Sequence, residues 1–537
     1  MKTDKHTKPN IVIILADDMG YSDVSCFGSE IPTPNIDRLG CEGVRFTQMY
    51  NCARCCPSRA SLLTGLYPHQ AGIGHMVTDL GDPAYQGYLN QDCVTIAEAL
   101  KTAGYKTLMS GKWHVGGSFD LRAPQGWALP RERHPTPTDR GFDEFFGTLD
   151  GCGSYFNPHT LMRNDQFIPA PLDQRFYYTD AISNEAVQMI DQNSGKDPFF
   201  LYVAYTAPHW PLHALPEDIA MFEGSYRAGW DRTRLDRYDR MKELGLLPDR
   251  WNISPRDPDA PPWDSVQVQE WEDMKMAVYA AQIRRMDKGI GNILDALDNN
   301  GCAEHTLVMF MSDNGGCAEL LEENGFVEDL IWPNTDGTRV RAGNIPSIMP
   351  GSEQTYMSYD LPWANASNTP YRLFKHWVHE GGISTPFVAR CPSIRGDSGD
   401  ICHSPCHFVD IMATCLDIAG VAYPQYRNER PTKPLQGESF LQALRGKQWE
   451  RFQPIVWEHE GNQALRTRTW KLVRKYNQPW ELYNFEEDRT ELLDRSAKEP
   501  ARLKTMEKQY LEWAARTEVR EWDSVKAVAR EIYPGIV

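Results

Sequence analysis

Residues 10–18 read NIVIILADD: six consecutive apolar residues, Ile11 to Ala16, closed by the carboxylates Asp17 and Asp18. A run this short, with no polar residue inside it, reads as a β-strand buried on both faces. Three more stretches repeat the design. GYKTLMSGKWH (104–114) ends on Lys112 and His114, PFFLYVAYTAPHWP (198–211) leads to His209, and HTLVMFMSDNGG (305–316) ends on Asp313 and Asn314. Helical patterns lie between them. DCVTIAEALKTAG (92–104) predicts a helix started by Asp92 and stopped by Gly104, and 270–301 predicts a long amphipathic helix ending near Gly301. Alternating strand and helix imply an α/β fold around a mostly parallel sheet. Ligands of such sheets gather beyond the carboxyl ends of the strands, so all four polar clusters are expected on one edge.

The 537 residues are 41% hydrophobic and 24% charged, with a net charge of −17. That field disfavours nucleic acid and anionic membrane as partners. The opening MKTDKHTKPN is basic and precedes an apolar run, but the run is brief, ends in two aspartates and lacks a cleavage site. It reads as the first strand, giving a cytoplasmic expectation, or a periplasmic or secreted one if a leader was removed. Thirteen cysteines, an odd number in a long chain, do not read as a disulfide framework. Charges alternate in sign across 227–263, which predicts a solvated excursion. Segment 324–368 is rich in Gly, Pro, Asn and Ser and predicts a long loop system beside the site. After residue 420 the texture changes: ALRTRTWKLVRK (464–475) and PWELYNFEEDRTELLD (479–494) predict antiparallel strands, and 500–517 a terminal helix. The expected domains are 1–420 and a smaller α+β unit, 421–537.

Asp17, Asp18, Asp313 and Asn314 are hard oxygen donors suited to Ca²⁺ or Mg²⁺. The same residue types also serve turns and helix caps. The stretch NCARCCPSRASLLTG (51–65) crowds Cys52, Cys55 and Cys56 before a helical pattern. Cys52 and Cys55 form a C-x-x-C pair with His69 and His75 downstream, yet no second pair completes a zinc set. The later CHSPCHFVDIMATCLDIAG (402–420) reads as a helix start with core-packing cysteines.

CCPSRASLLTG (55–65) fits the sulfatase signature C-x-P-S-R-x-x-x-L-T-G, and GYKTLMSGKWH the second signature of that family. ADDMGYSD, TAPHWP, SDNGG and YRLFKHWVHEGGISTP follow in the family's order. Over nearly its whole length the chain resembles type-I, formylglycine-dependent bacterial arylsulfatases. The resemblance implies an alkaline-phosphatase-like fold and hydrolysis of aryl or carbohydrate sulfate monoesters. It implies that a maturation enzyme oxidises Cys55 to formylglycine, whose hydrated form attacks sulfur. Asp17, Asp18, Asp313 and Asn314 would then hold a cation, usually calcium, together with residue 55. Arg59 would hold the nucleophile, Lys112 and Lys375 the sulfate oxygens, His114 would take a proton in the elimination step, and His209 would protonate the leaving oxygen. Tyr155, Phe156 and His159, in a substrate-loop-like stretch, and His379 are expected at the substrate pocket. Two other readings use the same residues: a phosphonate or phosphate ester hydrolase, and a non-catalytic sulfate binder with unmodified Cys55.

Overall fold

The computed structural model describes residues 8–532 apart from 118–133, 172–175, 332–333 and 335. The basic residues 1–7 lie outside them. Thirteen strands come first: β1 (Asn10–Ala16), β2 (Val44–Tyr50), β3 (Lys106–Gly111), β4 (Glu144–Thr148), β5 (Leu161–Arg163), β6 (Gln166–Phe167), β7 (Phe199–Ala204), β8 (Thr306–Ser312), β9 (Arg341–Ala342), β10 (Thr355–Tyr356), β11 (Ser384–Arg390), β12 (Asp400–Cys402) and β13 (Cys406–His407). All but β9 and β10 form one sheet, ordered β12-β2-β11-β8-β1-β7-β3-β4-β5-β6, with β13 also on β2. The centre, β8-β1-β7-β3-β4, is parallel, with Ile13 opposite both Tyr202 and Met309. Strand β11 runs antiparallel between β2 and β8, so the sheet is mixed.

Alternate side chains of β1 feed two cores. Val12 and Ile14 point into one, while Ile11, Ile13 and Leu15 point into the other, and all are fully buried. This explains the unbroken apolar run, since neither sheet face meets water. Helices Tyr178–Asn193 and Gln269–Asn299 pack together on one face, and helix Cys55–Thr64 packs with Phe408–Ala419 on the other.

The smaller C-terminal part holds a hairpin of β14 (Tyr426–Arg427) and β15 (Arg430–Pro431). Its antiparallel sheet is β16 (Ile455–His459), β17 (Asn462–Arg466), β18 (Trp470–Arg474) and β19 (Glu481–Asn484). Helix Pro500–Arg516 covers it, and a second helix, Trp522–Ile532, follows that the sequence reading did not anticipate.

Four expectations change. The helix in 92–104 spans only Ile96–Lys101 and starts at Thr95, which forms a capping box with Glu98; Asp92 lies outside. The segment 227–263 is not a solvated excursion. It contains helix Gly229–Glu243, which buries Trp230 and Arg237, and Arg237 pairs with Asp23 and Glu30 at 2.6 and 2.8 Å. Its charges meet partners elsewhere in the chain, which local alternation cannot reveal. The segment 324–368 is interrupted by β9, β10 and helix Asp360–Ser367. Cys402 and Cys406 sit on short strands, and the helix begins only at Phe408. All thirteen cysteines are free.

Candidate active site

The carboxyl ends of β1, β3, β7 and β8 meet at one place. Asp17 and Asp18 follow β1 directly, Lys112 and His114 follow β3, His209 lies in the loop after β7, and Asp313 and Asn314 follow β8. Helix Cys55–Thr64 aims its first turn at the same place, and Cys55 is its first residue. Lys375 enters from the loop before the short helix Glu380–Ile383. All of these side chains are buried, with exposures of 6% or less. Asp18 and His114 hold left-handed backbone angles, φ 62° and 55°, the kind of local strain that fixed site geometry tends to store.

The charges interlock. Arg59 spans two strand ends, with Nη2 2.8 Å from Asp313 Oδ2 and 3.4 Å from Asp17 Oδ2, while Nη1 donates to the Lys112 carbonyl oxygen at 3.0 Å. Lys112 Nζ also donates to Asp17. Lys375 Nζ donates to Asp18 Oδ2 at 2.8 Å, and His209 Nε2 lies 3.3 Å from the same oxygen. His209 Nδ1 donates to the Trp210 carbonyl oxygen at 2.6 Å, which turns Nε2 toward Asp18 and Lys375.

These contacts set protonation. Burial alone would raise Asp17, but Lys112, His209 and Arg59 hold it below the usual range. Burial and the neighbouring Asp17 push Asp313 well above it. Burial, with Lys112 close by, lowers His114 to about 4, so its imidazole is neutral near pH 7. The Cys55 thiol is held well below its ordinary value by hydrogen bonding with Cys56 and by the nearby His114 and Lys112. The position is therefore arranged to favour negative charge on residue 55. Cys56 Sγ lies 3.2 Å from His114 Nε2, whereas Cys52 turns away toward Ser61 and His407.

The donor set fits a hard cation. Asp17 Oδ1 and Asn314 Oδ1 are buried acceptors without a hydrogen-bond partner. An unpaired buried acceptor is costly, and a divalent ion bound by oxygen relieves that cost.

Other expected residues lie elsewhere. Tyr155 is fully buried, with its hydroxyl 2.9 and 2.8 Å from the carbonyl oxygens of Thr206 and His209. Its hydroxyl thereby braces the His209 turn. His379 is also fully buried, beneath Glu481 at 3.5 Å. Phe156 packs on Tyr177 and His213. His159 lines a small cavity with Asn157, His213 and Tyr356, and Tyr356 in turn packs 5.9 Å from the Trp210 ring.

Two residues not picked out from sequence frame the mouth. Glu319 pairs with Arg54 at 3.0 Å, accepts from Trp210 Nε1 at 2.9 Å and lies 3.9 Å from Lys375. It thereby ties the residue before Cys55 to the residue after His209. Its position just beyond SDNGG was the available signal. Two glycine stretches close the floor. A Cβ on Gly315 would sit 1.9 Å from the Gly381 carbonyl oxygen, and Gly315 N donates to the Gly382 carbonyl oxygen at 3.0 Å. The loop of Asn314 and the segment after Lys375 therefore touch backbone to backbone. A Cβ on Gly151 would sit 2.3 Å from the His114 ring.

The sulfatase family profile matches residues 9–421. The chain belongs to the sulfatase family. A second profile, N-sulphoglucosamine sulphohydrolase, C-terminal, matches 371–516. An uncharacterized sulfatase of Schizosaccharomyces pombe is 32% identical, covering 96% of this chain and 95% of its own. An arylsulfatase of Klebsiella aerogenes is 33% identical over 80% of this chain and 91% of its own. Among solved structures, that of Ps i-CgsB has 26% identity and a TM-score of 0.68, covering 99% and 98% of the two chains. The sulfatase is a sulfuric ester hydrolase of alkaline-phosphatase-like fold, of the type-I class that bacterial arylsulfatases represent. Among the described residues no helix is long and apolar enough to cross a membrane.

Proposed function

We propose that this sulfatase cleaves aryl or saccharide sulfate monoesters through a formylglycine made from Cys55, with Ca²⁺ as the site cation and Mg²⁺ as a possible substitute. The observation that carries this is the convergence of three buried carboxylates and three buried cationic side chains around Cys55 and two orphan oxygens. Once hydrated, formylglycine supplies an oxygen nucleophile with a second hydroxyl through which sulfate can later be expelled. Asp17, Asp18, Asp313 and Asn314 would hold the cation, which would supply Lewis acidity and offset the carboxylates.

The chain's own residues do the rest. The N-terminal turn of helix Cys55–Thr64 adds a positive dipole end at residue 55. Arg59, braced by Asp313 and the Lys112 carbonyl, holds the nucleophile in place. Lys112, beside Asp17, and Lys375, beside Asp18, offer their ammonium groups to sulfate oxygens, where charge builds in the transition state. Neutral His114 accepts a proton from residue 55. His209, anchored through Nδ1, presents Nε2 to the leaving oxygen as the proton donor. A separate maturation enzyme converts Cys55, and residues 1–420 and 421–537 act as catalytic and supporting units.

A phosphonate monoester hydrolase of Agrobacterium radiobacter shares the fold at 19% identity, TM-score 0.58, which speaks to scaffold alone. One structure of the Ps i-CgsB enzyme carries a neocarrahexaose, which supports saccharide sulfates in the screen. The test pairs two measurements. Peptide mass across residues 52–59 should show an aldehyde in place of the Cys55 thiol. Rates on nitrophenyl sulfate, saccharide sulfates and a nitrophenyl phosphonate should favour sulfate. An unmodified thiol in active enzyme, or faster phosphonate cleavage, would overturn the proposal.

A further inference from the structure

A cavity of about 520 Å³ lies where the edge of the main sheet meets the small antiparallel sheet. Gln48 of β2, Arg466 of β17, Trp251, Phe485 and His403 line it, and none of the residues of the strand-end site does. A cavity of this size suits a small ligand.

Its lining has more donors than acceptors to meet them. Arg466 is 2% exposed, with its guanidinium carbon 4.8 and 4.9 Å from the ring centres of Tyr50 and Phe485. Its Nη2 donates to Gln48 Oε1. Its Nε and Nη1, and the Trp251 Nε1, are buried without a hydrogen-bond partner. Among the described residues Arg466 forms no ion pair, while its buried neighbours Lys471 and Arg489 both pair with Glu380. A buried charged donor left unpaired is costly, and an incoming acceptor removes that cost. The other charges of the lining include three more arginines. Yet they cancel among themselves: Arg468 pairs with Glu450 at 2.9 Å and Arg451 with Asp410 at 3.1 Å, Arg250 stands against Glu486, and among the described residues Arg466 is left as the one surplus cation of the lining. In a chain of net charge −17, a locally cationic cavity stands against the overall field. Trp251 and Phe485 add flat apolar walls.

We propose that this cavity is a second, non-catalytic binding site for an organic oxyanion, a sulfate ester, sulfonate or carboxylate, carried on a flat ring. Arg466 and Trp251 Nε1 meet the oxyanion, and Trp251 and Phe485 flank the ring.

The probe is 1-naphthalenesulfonate, which is not a sulfate ester and survives the enzyme. Equilibrium dialysis against the matured full chain should find one more equivalent bound in wild type than in Arg466→Met. Gln48→Glu should lose the same equivalent. It keeps the shape of the half-buried glutamine but sets a carboxylate against the guanidinium. Neutral naphthalenesulfonamide should bind there at least about tenfold more weakly. Both variants should cleave nitrophenyl sulfate within about twofold of wild type, because no catalytic group is touched. A crystal soaked in the sulfonate should show it against Arg466. If Arg466→Met fails to fold, Gln48→Glu decides alone. Equal stoichiometry in wild type and folded Gln48→Glu, or a soaked sulfonate found only beside Cys55, overturns the proposal.

Discussion

Two of the charge clusters buried in this molecule are finished differently. Under the small sheet, Glu380 accepts from Lys471 at 2.9 Å, Arg489 at 2.8 Å, Tyr50 at 2.9 Å and Ser384 at 3.0 Å. Burial would raise its carboxyl, but Lys471 and Arg489 hold it at about 2. At the strand ends, Asp17 Oδ1 and Asn314 Oδ1 have no partner, and Asp313 is pushed well above the usual range. The first cluster has consumed its electrostatic capacity in holding β18 and the segment after β19 to the main sheet. The second keeps part of it in reserve for a ligand. Burial of charge therefore says little about role; the unspent valences do.

The sharpest way to break that contrast is at residue 55. Cys55→Ala should cost more than about 10⁴-fold in kcat while the thermal unfolding midpoint stays near wild type, since only a nucleophile precursor is removed. Cys56→Ser should retain substantial activity once residue 55 is fully converted, because serine keeps a donor near His114. Asp313→Ala should come next. It removes a ligand and the partner of Arg59, so bound metal measured by elemental analysis should fall, and kcat/KM should drop on the order of 10²–10³-fold. Full turnover by a verified metal-free protein would contradict this.

His209→Ala should follow, with a loss that depends on the leaving group. General-acid help is worth about 10²–10⁴-fold and grows with the basicity of the departing oxygen. Saccharide sulfates should therefore suffer far more than nitrophenyl sulfate, wherever chemistry limits the rate. Lys375→Ala should hurt both alike, because it serves the common sulfate. Equal losses from His209→Ala across leaving groups would reduce His209 to a sulfate contact.

The smallest effect on catalysis should come from Glu380→Gln, which instead tests the other cluster. Leaving Lys471 and Arg489 without their shared carboxylate should destabilise the fold by about 3–5 kcal/mol in denaturant titration. Turnover per folded molecule should change little. Because the folded state holds the Glu380 proton less tightly than the unfolded chain does, its stabilisation is complete above pH 4.5. It is lost as pH falls toward about 2. The variant should accordingly show a flatter acid limb of stability.

The central strands were legible because a strand covered on both faces must be apolar throughout, and IVIILA (11–16) is. Their polar termini were legible because parallel strands bring their carboxyl ends to one edge. What escaped was whatever depends on distant partners. Arg237 lies in a run of alternating charge that looks solvated, yet it is buried against Asp23 and Glu30. Tyr155 looked like a stacking platform, but its hydroxyl belongs to the backbone under His209. The Thr95 capping box was readable in TIAE, three residues past the aspartate chosen from sequence as the start. Glu319 carries no motif of its own, and only the fold shows that Arg54, Trp210 and Lys375 converge on it.

The meeting of Gly315 with Gly381 has a practical corollary for anyone wishing to retune this enzyme. A methyl group there would collide with main chain at 1.9 Å, and main chain cannot rotate aside as a side chain can. The loop bearing Asn314 and the segment next to Lys375 would have to part, carrying the proposed cation ligand and the proposed sulfate contact away from each other. The floor is thus manufactured to a tolerance of tenths of an ångström, whereas the rim at Arg54 and Glu319 is side chain and partly open to solvent. Directed evolution toward new alcohols should find its productive substitutions on the rim and a desert of inactive clones at the diglycines.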